Sequence, residues 1–163
     1  MSREHHYPIL VRWTGNTGTG TSGYRHYSRD HDVTSADAGT LTASSDPAFR
    51  GDRSRWNPEQ LFVASISQCH MLWYLHLATN AGLVVDAYED SALGTMREDE
   101  RGGGGEFTEV VLRPRVRLTA GDIATANAIH DDVHDYCFIA RSVSVPIRHE
   151  PAAALLGQAS TPT

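Results

Sequence analysis

The chain of 163 residues holds two cysteines, in unlike settings. Cys69 lies inside a long apolar stretch opened by Asn57-Pro58-Glu59-Gln60. Cys137 lies in Asp135-Tyr136-Cys137-Phe138-Ile139-Ala140-Arg141, where a second helical pattern gives out. If the fold brings the two together, a peroxide-reducing thiol pair is the most economical chemistry, because one thiolate attacks and the other resolves. Each cysteine also has a plainer reading, as a small buried apolar residue or a helix-end contact. Of the two, Cys137 is expected to be the more mobile and exposed, since it stands at a helix end.

A thiolate at Cys69 needs help. The residue lies about three turns into its helix, and the macrodipole acts mainly over the first turn. The missing charge has a source in Asp46 to Trp56, which carries Arg50, Arg53 and Arg55 in a chain of net charge -6. Glu59 suits a helix N-terminus in any protein. It also has the planar carboxylate that grips a guanidinium in a bidentate pair. It precedes Cys69 by ten residues, roughly on the same face and about 15 Å back along the axis, which a long arginine can bridge.

A metal reading competes. His130, His134 and Cys137 have ligand spacing on one helix, and with Cys69 they would make a four-ligand zinc site. Asp131, Asp132 and Asp135 are interleaved with the histidines and point instead to a solvated face. His5 and His6 read as surface, and Met71, Trp73, Tyr74 and His76 as core or pocket wall. The glycines between Thr14 and Gly23 open no apolar helix, so they are not a phosphate loop and no cofactor is expected.

Hydrophobic residues make up 40% of the chain and aromatics 8%, which suits one globular domain over residues 1-150 with a frayed Ala- and Thr-rich tail over 151-163. The acidic balance argues against nucleic acid. No apolar signal region follows Met1, and no stretch is long enough for a membrane span, so the cytoplasm is the expected location. There paired cysteines are more often catalytic, redox-active or metal-binding than structural.

The elements that position these residues follow from patterning. Tyr7, Ile9, Val11 and Trp13 alternate as a strand, and a Gly-rich turn leads to a second strand around Tyr24 to Val33. Thr40 to Ala43 is a short third strand. Asn57 caps the first helix, Pro58 takes its first position and Gln60 completes a capping box. The helix is apolar on nearly every side, so it is enclosed, and a second subunit is the expected cover. A strand over Leu83 to Leu93 follows, then a turn at Arg101 to Glu106 and a returning strand over Phe107 to Leu118. Pro114 marks that strand as an edge or a bulge. Thr119 with Asp122 caps a second helix to about Tyr136, and Val143, Val145 and Ile147 form a last short strand. The class is α+β with segregated elements.

The run Asn57-Pro58-Glu59-Gln60-Leu61-Phe62-Val63-Ala64-Ser65-Ile66-Ser67-Gln68-Cys69 resembles the hallmark of the OsmC/Ohr family, and Tyr136-Cys137-Phe138-Ile139-Ala140-Arg141-Ser142-Val143 resembles its second signature. The element order matches from about Tyr7 to Arg148. The resemblance implies an OsmC-like fold, with antiparallel sheets wrapped around a central apolar helix in an intertwined homodimer. It further implies thiol-dependent reduction of organic hydroperoxides. Cys69 would become a sulfenic acid, Cys137 would condense with it to a disulfide, and a dithiol such as a lipoyl group would reduce that disulfide. Glu59 would hold the catalytic arginine. Ohr members carry that arginine in a Gly-Gly-Arg turn, and Gly15 to Gly23 contains none. OsmC members place it beside a Phe before the Asn-Pro-Glu motif, which selects Arg50 after Phe49, with Arg53, Arg55 and Arg29 as alternatives. His70 and Phe138, where the family has other residues after each cysteine, leave room for a binding protein of the same fold without turnover.

Overall fold

The computed structural model describes residues 3–100 and 102–157. The chain forms two compact units, residues 1–61 and 62–163.

The first unit holds one antiparallel sheet. Strands β1 (Leu10–Trp13), β2 (His31–Ser35) and β3 (Gly39–Ala43) pair in that order. Strand β2 starts later than the alternation around Tyr24 suggests. Residues up to Asp30 are instead held as a loop, in which Asn16 Oδ1 accepts from the amides of Gly18 and Gly20 at 2.9 and 3.0 Å. A 3₁₀ turn at Pro47–Phe49, capped by Asp46, leads to helix α1 (Pro58–Asn80). The expected capping box is present. The Asn57 side chain accepts from the Gln60 amide at 2.8 Å, and Gln60 Oε1 accepts from the Asn57 amide at 3.2 Å.

The second unit holds the body of α1, helix α2 (Ile123–Tyr136) and two three-stranded sheets. One sheet has the order β4 (Val84–Asp90), β7 (Pro114–Ala120), β9 (Ala152–Leu155). The other has the order β5 (Leu93–Glu98), β6 (Gly105–Leu112), β8 (Ile147–His149). Arg101, in the expected turn, lies outside the described residues, and so do residues 158–163 of the expected tail. The single returning strand of the sequence reading is two strands, parted at Arg113. The alternation of Val110, Leu112, Val116 and Leu118 runs on unbroken while the chain leaves one sheet for the other. Pro114 is neither on an edge strand nor at a bulge. It opens β7, the central strand of its sheet, a position where its missing amide interrupts no ladder. Asp90 secures the joint by accepting from the Arg113 amide at 2.7 Å and the Ser67 hydroxyl at 2.5 Å.

Beyond Glu150 the Ala-rich segment is β9, parallel to β7. Composition read it as frayed, but a strand's ladder is a backbone property that alanine does not forbid. Asp122 alone caps α2, its carboxylate accepting from the Thr125 amide at 2.7 Å, while Thr119, expected to share the cap, lies in β7. Within one chain helix α1 is covered on one side only. Ile66, His70, Tyr74 and Ala78 form one buried stripe, each four residues from the last, while Leu72 on the far side is 61% exposed. No helix of the described residues is long and apolar enough to cross a membrane.

Candidate active site

In the second unit α1 meets α2 and its C-terminal end through polar side chains. Tyr74 donates its hydroxyl to the Ala126 carbonyl at 3.1 Å, His70 meets His130 at 2.8 Å, and Cys69 packs against the cluster that holds Cys137, close enough to act on its thiol. Residue numbers fall on α2 as they rise on α1, so the helices run antiparallel. This arrangement brings the two thiols together, and both are free.

Their exposure is opposite to the expectation. Cys137 is 1% exposed and Cys69 is partly buried. The chain after α2 does not fray. It folds over the sulfur in a 3₁₀ turn, Ala140–Ser142, and the Ala140 amide donates to Cys137 Sγ at 3.4 Å. Burial pushes the Cys137 thiol up to about 11, the neighbouring Cys69 adds to this, and the Ala140 amide opposes it. Cys137 is therefore a protonated thiol at neutral pH, held against the partner it would resolve.

The zinc set does not assemble. His130 is buried against His70, while His134 is exposed on the outer face of α2. Four residues turn a helix by slightly more than one revolution, but the neighbours differ: His130 faces α1, and His134 lies in the solvated last turn. Among the described residues no group of three or more His, Cys, Asp or Glu side chains could hold a metal ion.

Behind the thiols lies a buried imidazole cluster that the sequence reading did not single out. His70 and His130 are 6% and 1% exposed, and His130 stacks on Tyr74 with ring centroids 4.1 Å apart. His149 reaches the His130 carbonyl at 2.8 Å. Burial depresses His70 to about 4 and His130 to about 3. The charge of His149 adds to the first shift, and those of His70 and His149 to the second. A signal for this was present: His130 sits between Ala126 and Val133 in the apolar stripe of α2, a register a solvated histidine would not take.

In the first unit the arginines separate by environment. Arg50 is exposed, closes the 3₁₀ turn with φ 67°, and lies 5.9 Å from the Tyr24 ring. Arg55 is drawn to Asp30 at 3.8 Å and Asp52 at 3.6 Å. Arg53 is exposed. Arg29 is the fixed one. Its guanidinium lies 4.3 Å from the Tyr24 ring and 4.2 Å from the Tyr27 ring, and its Nη1 donates to the carbonyls of those residues at 2.9 and 2.8 Å. Its Nη2 is buried without a hydrogen-bond partner among the described residues, and so is Oε2 of Glu59.

Comparison with known proteins bears on this arrangement. Residues 51–150 match the family model described as OsmC-like protein. An OsmC-like protein of unknown function from Vibrio cholerae is 28% identical, with a TM-score of 0.81 over 91% of this chain and 99% of that one. An organic hydroperoxide resistance protein from Elizabethkingia anophelis is 16% identical, with a TM-score of 0.69 over 96% of this chain and 100% of that one. An OsmC-like protein from Mycoplasma pneumoniae is 13% identical, with a TM-score of 0.70 over 93% and 99%. The last two share the fold. No curated protein matches.

Proposed function

We propose that this chain, which belongs to the OsmC-like protein family, is a thiol-dependent reductase of organic hydroperoxides. The observation that carries the reading is the contact between Cys69 and Cys137 across α1 and α2. Cys69 thiolate attacks the distal oxygen of ROOH. The S–O bond forms, the O–O bond breaks, and the alkoxide leaves and takes up a proton as ROH. Cys137 sulfur then attacks Cys69 Sγ of the sulfenic acid. The S–S bond forms and hydroxide leaves, combining with the Cys137 proton as water. An external dithiol, such as a lipoyl group, is oxidised to its disulfide and restores both thiols.

Glu59 serves in this reading as the carboxylate that aligns a guanidinium for the thiolate. Position after Phe49 favours Arg50 for that guanidinium, but environment favours Arg29. A side chain clamped by two carbonyls and two rings is pre-organised, and its spare N–H matches the spare oxygen of Glu59. The reading also includes a homodimer, supported by the exposed Leu72 of α1 and the exposed Leu10, Val11 and Trp13 of β1. Sedimentation at micromolar concentration is expected to give the dimer mass, and a folded monomer would refute it.

Titration of free thiols decides the chemistry. One equivalent of organic hydroperoxide is expected to consume both thiols and leave an intramolecular disulfide, seen by mass. Cys137→Ser is expected to stop after one turnover with Cys69 as a sulfenic acid. Thiols untouched by peroxide would instead mark a binding protein without turnover.

A further inference from the structure

His130 is 1% exposed, and its Nε2 has no hydrogen-bond partner among the described residues. Two other buried polar atoms share that condition in the same unit, the Tyr88 hydroxyl on β4 and Asn127 Oδ1 on α2. They are neighbours of His130. Asn127 lies one turn before it on the same helix, where side chains three apart adjoin. The Tyr88 ring lies 6.5 Å from the His130 ring and 5.5 Å from that of Tyr74, on which His130 stacks. Each such atom left dry is destabilising, because it has lost its bonds to water and gained none. Three on neighbouring residues of two elements are what a buried water satisfies, since such waters make about three hydrogen bonds.

We infer that Tyr88 Oη, Asn127 Oδ1 and His130 Nε2 form a binding site for a single ordered water molecule, and that this water sets the tautomer of His70 beside Cys69. Chemically the fit is complete. Asn127 Oδ1 only accepts, the tyrosine hydroxyl does either, and water supplies two donors and two acceptors.

The link to His70 follows from proton counting. The planes of His70 and His130 agree within 4°, and the 2.8 Å contact between His70 Nε2 and His130 Nδ1 lies between them. Burial keeps both rings neutral, so that contact holds one proton. If His130 donates from Nε2 to the water, its Nδ1 is bare. His70 then carries its proton on Nε2, and its Nδ1 is bare. If the water donates to His130 Nε2, both assignments reverse and His70 presents Nδ1–H. His70 follows Cys69 directly in the chain, so the water's orientation is read one residue from the thiol. The site stands on these contacts alone and does not rest on the proposed reaction.

The test is made on the full-length protein by nuclear magnetic resonance. Water cross-relaxation at the carbon-bound protons of the His130 ring is expected to carry the sign of a long-lived water in the wild type. Fast-exchanging or undetected water there overturns the site, whatever the variants do. Tyr88→Phe with Asn127→Leu is expected to abolish that signal and to change the Nδ1–H to Nε2–H ratio of His70, read from long-range proton–nitrogen spectra. An unchanged His70 ratio after loss of the water overturns the coupling.

Discussion

Cys137 lies buried beside the partly buried Cys69, its sulfur covered by the Ala140 amide. A resolving thiol placed this way has no solvent gap to cross. In the proposed reaction its proton, not its travel, would limit the attack.

The pH dependence of Cys137 alkylation in the resting protein should follow its elevated pKa of about 11. In Cys69→Ala the profile should move to lower pH, because the neighbouring Cys69 raises that value. It should stay above 9, because burial, the largest cause, remains. Mass spectrometry after timed alkylation gives the profile, and coincidence of the two curves would contradict the contact.

Arg29→Met should slow peroxide reduction by roughly tenfold or more, about 1.4 kcal/mol in the barrier. Arg29→Lys should recover part of this, since lysine restores charge without the planar fork. Arg50→Met should stay within about twofold, as exposed substitutions commonly do. Initial rates with one hydroperoxide rank the three, and the reverse ranking would return the role to Arg50.

The histidine pair ties stability to pH. Folded His70 and His130 bind protons less readily than the ordinary 6.5 of an unfolded histidine. Above pH 6.5 both states are deprotonated and the contribution is whole. As pH falls toward 4 the unfolded chain takes up protons that the folded chain refuses, so stability drops, and the loss levels off below about 3. Each pH unit in the window costs up to about 1.4 kcal/mol per histidine. Urea midpoints at pH 7 and pH 5 should diverge for the wild type and converge for His70→Leu/His130→Leu. Equal wild-type midpoints would refute the linkage.

Asp90→Ala should destabilise the second unit by about 1–3 kcal/mol, because it strips the Arg113 amide of its acceptor at the joint between sheets. Asp90→Asn keeps an acceptor oxygen and should cost less. Thermal unfolding compares the two, and equal losses would assign the effect to charge rather than to the orphaned amide.

Local chemistry was legible in the sequence where the cause is local. The capping box at Asn57 and Gln60 and the place of Asp122 at the start of α2 follow from neighbouring residues. What escaped depends on distant partners. Alternation from Val110 to Leu118 cannot reveal a change of sheet, since the burial pattern is the same in both. Ala152 to Leu155 forms a strand because β7 offers it an open ladder. Cys137 is covered by residues that follow it in a 3₁₀ turn, a shape its helix-end position did not announce. Arg29 stands out only through the carbonyls and rings that fix it.

The two parallel ladders carry a cost in time. Strands β8 and β9 are each the third member of their sheet, and they lie within residues 147–155, after everything they pair with. During synthesis, β6 and β7 each keep one open edge until that stretch leaves the ribosome. Closing those edges joins segments 37 residues apart in both cases, Val110 to Ile147 and Arg115 to Ala152. Pairing over such separations is slow, and an unpaired edge is a template for foreign strands meanwhile. The nascent second unit is thus most vulnerable to misassembly just before its last strands arrive.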